Sequence, residues 1–404
     1  MAIKTLDKAD LKDKIVLVRV DYNVPMEGLK IVDNTRIVEN MPTIRDLLSR
    51  GVKKVVIISH LGRPLGSVVE ELRLKPIVAE LESCLGEEVD YFSEDINLVT
   101  REKIENSTFR VICLENIRFD QREENGGEDL AKKISELADI FVLDAFSVAH
   151  RAHASVVGVA KFLPTYAGFA LIKEYENINV FLKNVRKPFW GFFGGIKLDD
   201  KMPVIKSLVD KLNGIVIGSS IAVAFLKRYG FGVGDSIVSK DSEVVVDQFL
   251  DFVLEKNIQV VYPRDLIIGD SSSFRRVKVF DIDFNKIIKK EVPPIVVCED
   301  GEGIYDVGEK SVIEYQKVIG AAGSVFWNGP FGWVEKDEFS QGTMELARFM
   351  AKSPAQVLIG GGDTVGFVAA KGMVNEYDFV STSGGAMLEY IANGTLPGLD
   401  IVKE

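Results

Sequence analysis

Cysteine is nearly absent. The chain has three, Cys84, Cys113 and Cys298, far apart and in no CxxC pair. That excludes a disulfide framework and the usual structural zinc spacings, and it fits a reducing compartment. No apolar run approaches the roughly 18–20 residues a membrane helix needs. The opening segment MAIKTLDKADLKDK is polar throughout, so a secretory signal is not expected and a cytoplasmic location is. Positive charge is not in excess either. The formal net charge is −11, which disfavours a general nucleic-acid binder and leaves room for a local basic site. Several signatures are missing. There is no GxxxxGK[ST] and no GxGxxG after a strand, and the protein-kinase HRDL and DFG motifs and a GxSxG elbow are also lacking.

What is present is an ordinary globular composition, 47% hydrophobic and 27% charged, over 404 residues. That length suggests about two domains. Glycine and arginine divide the chain unevenly. Residues 1–180 hold 9 glycines and 11 arginines, and residues 181–404 hold 26 glycines and 6 arginines. Two readings fit. One is drift between two ordinary domains. The other is division of labour, with side chains gripping an anion in the first half and backbone N–H groups gripping one in the second.

Short apolar runs recur, each followed by a polar or Gly-rich tip and an amphipathic stretch. The first half has KIVLVRVDYN (14–23), KVVIISHLGR (54–63), FRVICLENIR (109–118) and IFVLDAFSVAHR (140–151). The second half includes PFWGFFGGIK (188–197), NGIVIGSS (213–220), SVFWNGP (324–330), QVLIGGGDT (356–364) and DFVSTSGG (378–385). Continuous apolar runs suit strands buried on both faces, and alternation with helices implies parallel α/β sheets. The fold class is therefore α/β, with two doubly wound parallel-sheet domains. The expected boundaries are 1–164 and 188–385, joined by an interdomain helix over 165–187 that prolines bracket. Residues 386–404 are left to pack back on the N-terminal domain or onto the other.

In open α/β sheets ligands bind beyond the carboxyl ends of the strands. The first-half tips carry Asp21, Asn23, His60, Arg63, Arg118 and Arg151, and Arg36 opens the helix after the first strand. Arginine offers paired planar donors that match phosphate and carboxylate oxygens. Each arginine alone is equally a surface residue paired with an acid. Four together at strand ends point to an anion. His150 and His153 form HxxH, but no third ligand lies nearby in sequence, so metal ligation is disfavoured. In the second half, Gly194–Gly195, Gly329, Gly360–Gly361–Gly362 and Gly384–Gly385 end strands. Such turns let backbone N–H groups approach phosphate oxygens at a helix start. Lys197 and Lys201 stand four residues apart, a spacing that would put them on one face of a helix, and Asp363 suits a Mg2+ that also touches nucleotide phosphates.

The segments VRVDYNVP (18–25), NTRI (34–37), SHLGRP (59–64), LENIRF (114–119), DAFSVAHRAHAS (144–155), GGIKLDDKM (194–202), WNGPFGWVE (327–335), GGGDT (360–364) and STSGGAMLEY (381–390) resemble the phosphoglycerate kinase family in order and spacing. The resemblance implies reversible Mg-dependent phosphoryl transfer between 1,3-bisphosphoglycerate and ADP, giving 3-phosphoglycerate and ATP. It implies a triose-acid site at Asp21, Asn23, Arg36, His60, Arg63, Arg118 and Arg151. It implies a nucleotide site at Gly195, Lys197, Lys201, Asn328, Glu335, Gly360, Gly361, Gly362 and Thr364, with Asp363 on Mg2+. Arg36, Lys197, Gly362, Gly384 and Gly385 are the residues it sets beside the transferring phosphoryl group. It further implies hinge closure about 165–187 and Ser383–Gly385, and a monomer, with a homodimer as the alternative. Membrane and nucleic-acid partners are not expected. Ile196, Asp199 and residues 271–310 depart from the common family pattern, which looks more archaeal than bacterial here. The rivals are another carboxylate-directed phosphotransferase and a non-catalytic nucleotide-binding protein of the same fold. The second should lack one of Arg36, Lys197, Lys201 or Asp363, and all four are present.

Overall fold

The computed structural model describes residues 2–404 and divides into two compact units. The first comprises residues up to Ile178 together with Gly394–Glu404, and the second comprises Asn179–Asn393.

The first unit is built on a six-stranded parallel sheet. Its strands are β1 (Ile15–Arg19), β2 (Lys54–Ile58), β3 (Val89–Phe92), β4 (Val111–Leu114), β5 (Ile140–Leu143) and β6 (Thr165–Ala167), in the spatial order β3-β4-β2-β1-β5-β6. Every residue of β1, β2, β4 and β5 is buried, as apolar runs covered by helices on both faces should be. Burying each such Val, Ile or Leu side chain contributes about 1.5–3 kcal/mol before entropy is counted.

The second unit repeats the plan. Its parallel strands are β7 (Phe189–Phe193), β8 (Gly214–Ile217), β9 (Gln259–Val261), β13 (Ser324–Asn328), β14 (Gln356–Gly360) and β15 (Phe379–Val380), in the order β9-β8-β7-β13-β14-β15. A small antiparallel sheet adds β10 (Asp265–Asp270), β11 (Arg276–Asp281) and β12 (Glu302–Val307), ordered β11-β10-β12. Its core gathers Trp190, Phe192, Trp327 and Phe331 around β7 and β13. In each sheet the first strand lies in the middle, and the chain winds away from it in both directions. β1 and β7 therefore mark the topological switch points, where ligands bind in open α/β sheets.

The expected helix over 165–187 differs in its first turn. Thr165–Ala167 pair with β5 as an edge strand, and the helix spans Phe169–Lys183. Asp144, buried at the end of β5, accepts hydrogen bonds from the N–H groups of Ala170 (2.8 Å) and Leu171 (3.2 Å) at the helix start. Gly168 separates strand from helix because a Cβ there would lie 2.3 Å from Asp144 Oδ1. Burial raises the Asp144 carboxyl to about 6. The stretch 386–404 also divides. Residues up to Asn393 complete a helix of the second unit, where Ser207 Oγ donates to the Ile391 carbonyl at 2.5 Å. The remainder joins the first unit, where Lys4 N–H donates to Val402 (2.8 Å) and Gly398 N–H to Ala149 (2.7 Å).

Candidate active site

In the first unit the chain leaves β1 through Asp21 and Asn23. Asp21 is buried and accepts hydrogen bonds from Arg36 Nη1 (2.8 Å) and from the Ser147 hydroxyl. Arg36 sits in the short helix Thr35–Glu39 and also donates to the Asn23 carbonyl at 3.0 Å. His60, buried at the tip of β2, places Nδ1 3.6 Å from Asp21 and 3.2 Å from an Nη of Arg19. Burial pushes the Asp21 carboxyl up. His60, Arg36, Ser147 and Arg19 together outweigh this and leave it below the ordinary carboxylate value. Burial pulls His60 well below its ordinary value, and three arginines reinforce the effect against the attraction of Asp21. His60 is therefore neutral near pH 7. Its Nδ1 lone pair accepts from Arg19, so the ring proton sits on Nε2.

Asn23 Oδ1 accepts from Gly62 N–H (2.8 Å), and Arg118 Nη1 donates to the Gly62 carbonyl (2.8 Å). Arg118 is buried at the end of β4, and its Nε lies 3.1 Å from Glu124. Its guanidinium is lowered first by burial, and the neighbouring Arg151 adds to the effect. Asp21, Asn23, Arg36, His60 and Arg118 thus form one connected set, with Arg151 close enough to Arg118 to repel it. Arg36 and Arg118 each hold an acid, while Arg63 and Arg151 form no ion pair among the described residues. Arg63 is exposed and is tied to the set only through its neighbour Gly62. The HxxH pair holds no metal cluster among the described residues. Burial lowers His150 to about 4, and His153 faces Glu123 at 3.6 Å.

Four further residues belong here. Arg19 is fully buried and donates to Ser155 Oγ (2.9 Å), to the Val20 carbonyl and to His60. Buried Glu123 accepts from Ser155 N–H (2.9 Å) and Ser155 Oγ (2.6 Å), and Ser147 holds Asp21. The readable signal was a charge inside the apolar run IVLVRV. Glu123, Ser147 and Ser155 carry no such signal.

In the second unit a cavity of about 440 Å³ opens at the tips of β7, β13 and β14. Its lining carries Gly195, Lys197, Lys201, Gly361, Gly362, Asp363, Thr364 and Gly385. The strand tips are stitched together: Gly194 N–H donates to the Asn328 carbonyl (2.9 Å), Gly329 N–H to Thr364 Oγ1 (2.8 Å) and Asn328 Nδ2 to the Gly360 carbonyl (2.8 Å). Asn328 Oδ1 is buried at the cavity with no hydrogen-bond partner. The helix Gly362–Ala370 begins here, so its first N–H groups and the positive end of its dipole are available to an anion. Burial pulls the Lys201 ammonium down, against the carboxylates of Asp200, Asp363 and Asp199. Gly384 sits beside the same turn, since a Cβ built on it would lie 4.0 Å from Gly362 N. Gly360 is different: it is buried beneath Met387 and does not line the cavity. The lining also includes the apolar side chains of Ile237, Ile304, Tyr305 and Trp333, and Glu335.

A basic set thus lies at one switch point, and glycine turns with a helix start and two lysines lie at the other. The family profile described as phosphoglycerate kinase covers residues 6–394. The chain belongs to the phosphoglycerate kinase family. It is 37% identical over its whole length, and the whole of the other chain, to the phosphoglycerate kinase of Moorella thermoacetica. It is 38% identical, again with complete coverage of both, to that of Roseiflexus castenholzii. Among solved structures, phosphoglycerate kinase from Coxiella burnetii aligns with a TM-score of 0.81 at 34% identity, covering 99% of each chain. The enzyme from Pyrococcus horikoshii OT3 aligns with a TM-score of 0.79 at 28% identity over 99% of this chain and 98% of that one. As a member of the phosphoglycerate kinase family the chain is a kinase, a phosphotransferase with a two-domain α/β fold.

Proposed function

We propose that the chain catalyses reversible phosphoryl transfer between 1,3-bisphosphoglycerate and ADP, giving 3-phosphoglycerate and ATP, with the acid on the first unit and the nucleotide on the second. One observation carries the reading. Two sheets of the same winding present opposite anion-binding chemistries at their switch points, guanidinium groups on one and helix-start amides with lysines on the other.

In this reading Asp21, Asn23, Arg36, His60, Arg63, Arg118 and Arg151 hold the triose acid. Asp21 orients Arg36 through the hydrogen bond from Nη1. Neutral His60 donates through Nε2. In the second unit Gly195, Lys197, Lys201, Gly361, Gly362 and Thr364 surround the nucleotide phosphates. Asn328 offers its unpartnered Oδ1, and Glu335 faces the ribose. Gly360 serves the turn through its carbonyl, which Asn328 holds, rather than by touching phosphate.

Both reacting nucleophiles, a carboxylate and a diphosphate oxygen, are ionised at neutral pH, so no general base is required. The work is alignment of the attacking and leaving oxygens and neutralisation of charge on the equatorial oxygens. Arg36, Lys197 and the amides of Gly362, Gly384 and Gly385 supply the donors. A Mg2+ ion fits this site as a partner of the nucleotide. Asp200, Glu335 and Asp363 line the cavity, Asp363 being the one in the first turn of the helix Gly362–Ala370, and no cluster of three ligating side chains occurs among the described residues. That matches an ion held by one carboxylate plus phosphates. Bound there, it would neutralise phosphate charge, with Asp363 as its protein ligand. The two units carry different substrates, so transfer needs them to approach, and hinge-bending closure belongs to the proposal. The proposal also includes a monomeric cytoplasmic enzyme. No described helix is long and apolar enough to cross a membrane.

The test is a coupled assay with 3-phosphoglycerate, ATP and Mg2+, in which 1,3-bisphosphoglycerate is followed by NADH oxidation through the next enzyme. Mg-dependent turnover that disappears in Lys197→Ala is expected. Folded protein that binds both ligands without turnover would establish the non-catalytic alternative instead.

A further inference from the structure

Part of the stretch 271–310 is braced against a wall of the cavity. The turn between β10 and β11 is stiff. Asp270 Oδ1 accepts from the N–H and hydroxyl of Ser272 (3.0 and 2.7 Å) and from those of Ser273 (2.6 and 2.8 Å). Phe274 N–H and Asp270 N–H close the turn on the Asp270 and Arg275 carbonyls, both at 2.9 Å. Phe274 itself is held at φ +54°, a conformation that non-glycine residues seldom adopt. The turn delivers its ring edge-on to Trp333, with centroids 5.1 Å apart and an interplanar angle of 86°. Lys336 Nζ lies 4.3 Å from the centre of the Phe274 ring and 5.8 Å from that of Trp333. Tyr305 supports the indole from another side at 5.3 Å. Trp333 lines the cavity, and Phe274, which touches it, is outside the lining.

We propose that Phe274, assisted by Lys336, is a positioning residue for nucleotide binding: it fixes the Trp333 indole as the surface against which the base packs. The proposal rests on the nucleotide reading above. An edge-to-face aromatic pair is worth enough to alter affinity about 3- to 10-fold, and a half-exposed cation–π contact about 2- to 5-fold. The contact involves Phe274, Trp333, Tyr305 and Lys336 and none of the glycine turns or lysines assigned to the phosphates.

The test measures binding of ADP and of inorganic tripolyphosphate, which has phosphates but no base, alongside steady-state kinetics. Phe274→Leu should weaken ADP and raise KM for ATP about 3- to 10-fold. Its kcat, its KM for 3-phosphoglycerate and its affinity for tripolyphosphate should stay at wild-type values. Phe274→Tyr should restore ADP binding, and the surface change Lys336→Met should reproduce a smaller loss. Trp190 and Trp327 are buried, so the change in tryptophan emission on adding ADP should vanish in Trp333→Phe. Wild-type ADP affinity in Phe274→Leu overturns the proposal while the kinase reading stands. Equal weakening of ADP and tripolyphosphate also overturns it, because that reports general damage to the site. Wild-type protein that binds neither probe overturns the nucleotide reading and this proposal with it.

Discussion

Gly361 combines a left-handed backbone with a close neighbour in the proposed nucleotide cradle, and replacing it with alanine should damage stability and binding together. Gly361 precedes the helix Gly362–Ala370 with φ +98° and ψ 132°, a region that a side chain disfavours. Holding a non-glycine residue there costs about 1–3 kcal/mol. A Cβ at this position would also lie 2.5 Å from Asn328 Nδ2. Asn328 is buried and donates to the Gly360 carbonyl, so it cannot retreat without giving up that bond. Overpacking of this kind costs about another 1–3 kcal/mol. The combined loss of about 2–6 kcal/mol is a large part of the roughly 5–15 kcal/mol that holds a domain folded. The cheapest relief is rotation of the turn, and that swings the amides of Gly362 and Thr364 away from the cavity. Gly361→Ala should therefore lower the urea midpoint and weaken ADP binding at least about tenfold, since 1.4 kcal/mol already has that effect. Gly366→Ala is the matched control. It lies in the same helix with nothing within 4 Å of its Cβ position, and alanine there should stabilise by about 0.5–1 kcal/mol. The reasoning fails if Gly361→Ala keeps the wild-type midpoint and ADP affinity.

Three other outcomes are expected. Asp306, buried on β12, is raised to about 7 by burial, although it accepts from Gly342 and Val307 N–H groups, both at 2.9 Å. Between roughly pH 4 and 7 the folded chain then holds a proton that the unfolded chain releases. Stability should fall as pH rises through this window, by up to about 4 kcal/mol, and Asp306→Asn should remove that part of the slope in denaturant titrations. Arg36→Ala should lower turnover about 100- to 1000-fold with an unchanged circular dichroism spectrum; near-wild-type turnover would sink its place beside the transferring group. Asp363→Asn should raise the Mg2+ concentration needed for half-maximal turnover, and an unchanged Mg2+ dependence would remove Asp363 as the ligand.

What the sequence makes legible follows from how each feature is encoded. Strands buried on both faces appear as unbroken apolar runs, so β1, β2, β4, β5, β7 and β13 can be found by eye, and their tips follow. Edge strands lack that signature. β3 is VDYF with one fully buried residue, and β6 is TYA, whose three residues read as the start of a helix until Asp144 and Gly168 are seen to divide them. The site shows the same split. His60 and Arg118 follow strand ends and Arg36 opens the next helix, so all three are visible from the pattern alone. Arg19 lies inside a strand that is buried throughout, and only its contacts with His60, Ser155 and the Val20 carbonyl show why a guanidinium is tolerated there. The glycines teach the converse lesson. Gly360 and Gly361 are adjacent and look equivalent in the motif GGGDT. Yet one is small so that Met387 can pack against it, and the other is glycine because of its backbone angle. A motif therefore locates a site more reliably than it assigns each residue within it. Gly360→Ala should be felt first as overpacking of the helix Gly385–Asn393, which carries Met387, whereas Gly361→Ala acts on the phosphate turn itself.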